Sequence, residues 1–143
     1  MARIFAQVDY GNVALIIDQL RAENKRVVLK AVEALHALLR SDDCADICVR
    51  YGAVPALSAC SRGRALDIKL VSLRIVNKLL KCEAVKVFVQ KQLLDTKTVQ
   101  ASLKLVEQFP SEDADHDILA EVAEMLSLVV TQNESATNYM VQQ

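Results

Sequence analysis

Residues 8–13 of the sequence, Val8-Asp9-Tyr10-Gly11-Asn12-Val13, have an echo 41 positions later in Val49-Arg50-Tyr51-Gly52-Ala53-Val54. Val, Tyr, Gly and Val keep their places, and the offset persists beyond them. Ile16 maps onto Leu57, Arg21 onto Arg62, Leu38 onto Leu79 and Leu39 onto Leu80. A fixed period of this length marks stacked supersecondary units, each too small to bury its apolar face without a neighbour. A chain so built grows in one direction as a solenoid, and its expected role is to bind a partner along that length.

Composition selects the kind of unit. Apolar residues make up 52% of the 143 but aromatics only 4%, with three Gly and two Pro. Sparse turn formers and few β-favouring aromatics point to an all-α chain. A formal net charge of −1 removes any bulk electrostatic case for nucleic acid or membrane. The charges are unevenly spread, however. All seventeen Lys and Arg lie at or before Lys104, and eight acids follow from Leu105 onward. The surface is therefore expected to be basic in its middle and acidic at its end. There is no run of 18 apolar residues, no secretory signal, no Gly at position 2 and no prenylation Cys, so the chain reads as soluble and cytoplasmic.

The period divides the chain into units of about 1–40, 41–81 and 82–131, with a partial fourth over 132–143. In the first, helices are expected over about 2–10, 13–21 and 25–40, with Gly11 at a turn and Asn12 and Asn24 as caps. In the second, a helix runs from residues 41–43 to about Tyr51 and breaks at Gly52. The next has Pro55 in its first turn and ends near Gly63, and a long helix spans about 65–81. That long helix is apolar over most of its circumference through Leu70, Val71, Leu73, Ile75, Val76, Leu79 and Leu80, as befits one covered on both sides.

The third unit lacks the glycine turn, since Leu93 stands where Gly52 stood. Helices are expected over about 83–92 and 96–109, the second with Val99, Leu103 and Val106 inward and a break at Phe109-Pro110. Ala123–Val130 then resembles Val32–Leu39 at an offset of 91, which is nine more than two periods. A last short helix begins at Asn133. The chain is expected to stop inside a fourth unit, so that further repeats follow in a longer protein or the end pairs with something. Leu126, Val129, Val130, Tyr139 and Met140 would form that apolar end, with Tyr139 and Met140 as the self-association contacts of a homo-oligomer.

Gly52-Ala53-Val54-Pro55-Ala56-Leu57 after a short helix, with Ala34-Leu35-x-x-Leu38-Leu39 in a long one, resembles the armadillo repeat. The resemblance covers nearly the whole chain, is best over residues 41–81 and is HEAT-like in the third unit. It implies a right-handed α-solenoid of about three three-helix units plus the first helix of a fourth. The family's long third helices line a groove for an extended partner. Carried onto this sequence, the groove stripe is Glu33, Ala37 and Arg40, then Arg74, Lys78 and Lys81, then Glu124, Leu128 and Thr131, with His36 and Asn77 beside it. Arg74, Lys78 and Lys81, spaced i, i+4, i+7, make one narrow charged ridge. The family's nuclear-import adaptors hold basic peptides on a Trp-x-x-x-Asn ladder. The matching pairs here are Glu33 and Ala37, Arg74 and Lys78, Glu124 and Leu128, and no rung is kept. The expected function is therefore a scaffold holding an acidic protein segment on Arg74, Lys78 and Lys81, with Asn77 on its backbone and Glu33, His36, Arg40 and Glu124 alongside.

Other classes fare worse. A nucleic-acid-binding solenoid could use the basic stretch from Arg64 to Lys104, but its only aromatic is Phe88, and base stacking is poorly provided for. An oligomerising module would use the C-terminal end instead. Glycines 11, 52 and 63 are too scattered for a phosphate loop. His36, between Glu33 and Arg40, reads as a solvated groove residue. Glu112, Asp113, Asp115, His116 and Asp117 suit a helix N-terminus better than a calcium loop. Cys44 and Cys48 lack further zinc ligands and read, with Cys60 and Cys82, as structural thiols. No catalytic activity, cofactor or metal is expected.

Overall fold

The computed structural model describes residues 12–40, 42–63, 65–108 and 116–132. Eight helices follow one another and no strand occurs among the described residues: α1 (12–19), α2 (Lys25–Leu38), α3 (Asp42–Arg50), α4 (Ala53–Arg62), α5 (Leu66–Lys81), α6 (Lys86–Asp95), α7 (Thr98–Gln108) and α8 (His116–Gln132). The helix expected over 2–10 with its turn at Gly11, the Phe109-Pro110 break, acids 112–115, the helix from Asn133, and Tyr139 and Met140 all lie outside the described residues.

Local signals set the helix ends. The Asn24 side chain accepts from the backbone N–H of Arg26 at 2.9 Å and of Val27 at 3.4 Å, which caps α2. Gly52 joins α3 to α4 in the left-handed region, with φ +85° and ψ 31°. An L residue meets a cost of roughly 1–2 kcal/mol there. Pro55 is third in α4, where its missing N–H is one of those the helix leaves unpaired.

Helix α5 is the centre of the stack and packs against α2, α4, α6 and α8. Its buried residues are Ile68, Leu73, Ile75, Val76, Leu79 and Leu80, together with Lys69, Ser72 and Asn77. Leu70 and Val71, expected inside, are half-buried at the edges of this face. The repeat explains the exchange. Val28, Ala31, Val32, Leu35 and Leu39 are buried in the first unit, and Lys69, Ser72, Leu73, Val76 and Leu80, each 41 residues later, are buried in the second. Burial follows the period even where polarity does not.

The third unit departs from the sequence reading twice. Helix α6 starts at Lys86 rather than 83, because residues 83–85 turn around the Cys82 carbonyl, which accepts from the N–H of Val85 at 3.2 Å and of Lys86 at 2.9 Å. It keeps the inward register, Val89 being buried as Cys48 is, but continues past Leu93. The left-handed residue then falls at Lys97, with φ 61°. Hydroxyls hold this turn. Thr96 Oγ1 donates to the Gln92 carbonyl at 2.8 Å and lies 2.7 Å from Thr98 Oγ1, Ser58 bonds Thr98, and Arg62 donates to the Thr96 carbonyl.

The second departure is one of register. Buried Ile118, Val122, Met125 and Val129 reproduce Val28, Val32, Leu35 and Leu39 at an offset of 90, not 91. A slip of one residue turns a helix by about 100°. Ala123 and Ser127 therefore take the exposed positions expected of Glu124 and Leu128, which are half-buried. Val129, expected on the open apolar end, is buried completely, while Leu126 and Val130 are half-buried. Among the described residues no helix is long and apolar enough to cross a membrane.

Candidate interaction groove

The long helices α2, α5 and α8 are neighbours, with α5 between the other two. Glu33 and Ala37 on α2, Arg40 just beyond it, and Arg74, Lys78 and Lys81 on α5 are all exposed, as the period places them. The ridge on α5 is nevertheless partly committed. Arg74 Nε lies 3.6 Å from Glu121 Oε2, Lys81 Nζ pairs with Glu124 Oε1, and Lys78 Nζ donates to the Leu39 carbonyl at 3.5 Å. The cationic side chains of the two ion pairs are 44% and 57% exposed, so each pair contributes about 1 kcal/mol or less.

Two of the expected contacts change role. Asn77 is only 2% exposed, and its Nδ2 donates to the Glu121 carbonyl at 3.0 Å and to Glu121 Oε1 at 2.9 Å. It precedes Lys78 by one residue, which turns it about 100° away from the ridge and into the seam with α8. Its amide donor is therefore not offered to a partner. Glu124 is likewise turned toward α5, where it meets Lys81. His36 is half-buried, and its pKa is lowered by that burial and then by Lys78 and Arg74, against the opposing pull of Glu121. The imidazole is thereby held neutral near pH 7.

Glu121 itself was missed by the sequence reading. In the register of 90 it matches Ala31, a buried position of the first unit, so an acid there must face α5 and find donors. The signal exists only once the register is right. Where α2 and α5 end together, a pocket of about 220 Å³ has Leu39, Ala45 and Leu79 in its walls with Arg40, Lys78 and Lys81 around them.

The four thiols differ in burial, and Cys82 lines this pocket. Cys48 and Cys60 are buried, and burial pushes Cys48 up to about 12 and raises Cys60 as well. Cys44 and Cys82 are half-buried. Among the described residues no group of three His, Cys, Asp or Glu could hold a metal ion.

This fold recurs in crystal structures of three engineered helical repeat proteins. One is 21% identical, with a TM-score of 0.80 over 97% of this chain and 53% of that one. A second is 20% identical, with a TM-score of 0.81 over 99% of this chain and 33% of that one. A third is 14% identical, with a TM-score of 0.75 over 91% of this chain and 51% of that one. The chain thus spans about half the length of two of these proteins and a third of the other. No family profile matches it, and no curated protein sequence does. What the likeness defines is a class of fold, the all-helical repeat protein.

Proposed function

We propose that the protein is a non-enzymatic scaffold of armadillo type that holds an extended acidic segment of a partner protein across the α2–α5 seam, in the cytoplasm. The observation that supports this reading is the pocket at the end of the seam, where Arg40, Lys78 and Lys81 surround an apolar floor of Leu39, Ala45 and Leu79. Lys78 has only a 3.5 Å contact with a carbonyl oxygen to exchange for a partner carboxylate. Arg74 and Lys81 are drawn toward α8 by Glu121 and Glu124, so the basic surface open to a partner is on the α2 side of α5. Exposed ion pairs are individually weak, so affinity also requires apolar partner side chains in the pocket.

The test titrates a labelled peptide of alternating Glu and Leu, and its Gln counterpart, into wild type and into an Arg40→Glu, Lys78→Glu double variant. The acidic peptide should bind wild type with an association rate that falls as salt rises, and the variant should lose both affinity and salt dependence. Equal binding to both proteins, with unchanged melting of the variant, would remove the seam from the reading.

A further inference from the structure

Two pockets occupy the same place in successive gaps of the repeat. The first, about 390 Å³, includes Leu20, Arg21, Val28, Cys60 and Gly63. The second, about 310 Å³, includes Ser61, Arg62, Lys69, Ala101 and Lys104, each 41 residues after its counterpart. In the first gap the repeat buries apolar side chains at these positions, Leu20 being 4% and Val28 7% exposed. In the second it puts a hydroxyl and an ammonium there instead.

Lys69 is 9% exposed, and its ammonium has no ion pair or hydrogen bond among the described residues. Partial desolvation lowers its pKa. Arg62 and Lys104 line the same pocket, none of its described lining residues is acidic, and Ser102, 6% exposed, adds a second hydroxyl to that of Ser61. Arg62 spends one donor on the Thr96 carbonyl, and a guanidinium has five. Leu73 and Val122 supply an apolar wall. The stem of Lys69 is buried while its ammonium opens to the pocket, and three cations gathered there repel each other. The position is filled in a way that the stack itself does not need.

We propose that this second gap is a binding site for a small phosphomonoester, its phosphate held by Lys69, Arg62 and Lys104 and its apolar body laid against Leu73 and Val122. A phosphate dianion has three terminal oxygens for three cations, whereas a carboxylate has two oxygens and one charge. The volume lies at the lower end for ligand pockets, which suits a small molecule rather than a chain. The inference does not depend on the groove, which lies along the α2–α5 seam and shares none of these residues.

Calorimetric titration with phenyl phosphate, inorganic phosphate and benzoate tests it, on wild type, Lys69→Val and the groove variant Lys78→Gln. Lys69→Val restores what the first gap holds at Val28, so it should fold and melt no lower than wild type. Phenyl phosphate should bind wild type more tightly than either probe that lacks its phosphate or its ring. Lys69→Val should weaken it at least about tenfold, the scale of one charge-assisted hydrogen bond, and Lys78→Gln should leave it unchanged. No saturable binding of phenyl phosphate at millimolar concentration, undiminished binding by Lys69→Val, or loss on Lys78→Gln would overturn the proposal. Benzoate binding as tightly as phenyl phosphate would overturn it too.

Discussion

Gly52 allows a clean measurement of backbone strain in this fold. Its φ of +85° lies in the left-handed region, and a Cβ added there would meet nothing closer than an Arg21 guanidinium nitrogen at 3.9 Å. Substitution therefore costs conformational energy without steric overlap. Gly52→Ala should destabilise by about 1–2 kcal/mol, Gly52→Val by more because of its branched Cβ, and Gly52→Asn by less. For a chain of this size that lowers Tm by roughly 3–8 °C for alanine. Gly63 is the control. Its φ of −69° and ψ of 172° suit any residue, and its added Cβ meets only the Cys60 carbonyl at 3.4 Å. Gly63→Ala should stay within about 0.5 kcal/mol of wild type. Thermal melts followed by far-UV circular dichroism rank the four variants. If Gly52→Ala melts with wild type, or Asn proves no better than Val, the turn does not work as described.

Asn77→Ala should destabilise by about 1–3 kcal/mol by removing the donor that the Glu121 carbonyl and Oε1 share in the α5–α8 seam, Arg74 remaining beside Oε2, and it should leave acidic-peptide binding unchanged. Denaturant melts and the peptide titration read the two effects separately. His36 gives a pH dependence of known sign. Its pKa is below 6.5 in the fold, so on acidification the unfolded chain takes up a proton that the folded chain resists. Stability should fall as pH drops from about 6.5 toward the lowered value, and urea melts of His36→Gln should lack this component of the slope.

The period of 41 carried the fold because burial obeys it at every inward position from Val28 to Leu39, polar replacements included. The third unit was misaligned by one residue for a physical reason. In a helix so apolar, Val122, Met125 and Val129 make one inward stripe and Ala123, Leu126 and Val130 make another beside it. Sequence pattern alone does not choose between them, and the shared Glu of Glu33 and Glu124 favoured the wrong one. Contact with α5 decides. The exposure of Arg74, Lys78 and Lys81 was legible, since their spacing fixes a common face. Their pairing with Glu121 and Glu124 was not, because it depends on the register of α8. Asn77 shows the same limit, its polarity suggesting a surface where its rotation gives a seam.

The central placement of α5 has a consequence for how damage spreads. In a linear stack, free energy is a sum over units and the contacts between adjacent ones. Helices α2 and α8 each rest on α5. Fraying that begins at α8 therefore stops at the α5 face it exposes, with the α2 side still closed, and the reverse holds for fraying from α2. A lesion within α5 at Ile75, Val76 or Leu79, each fully enclosed, has no such boundary. It unlatches both flanks at once, and the chain loses the partition that otherwise confines local opening to one end.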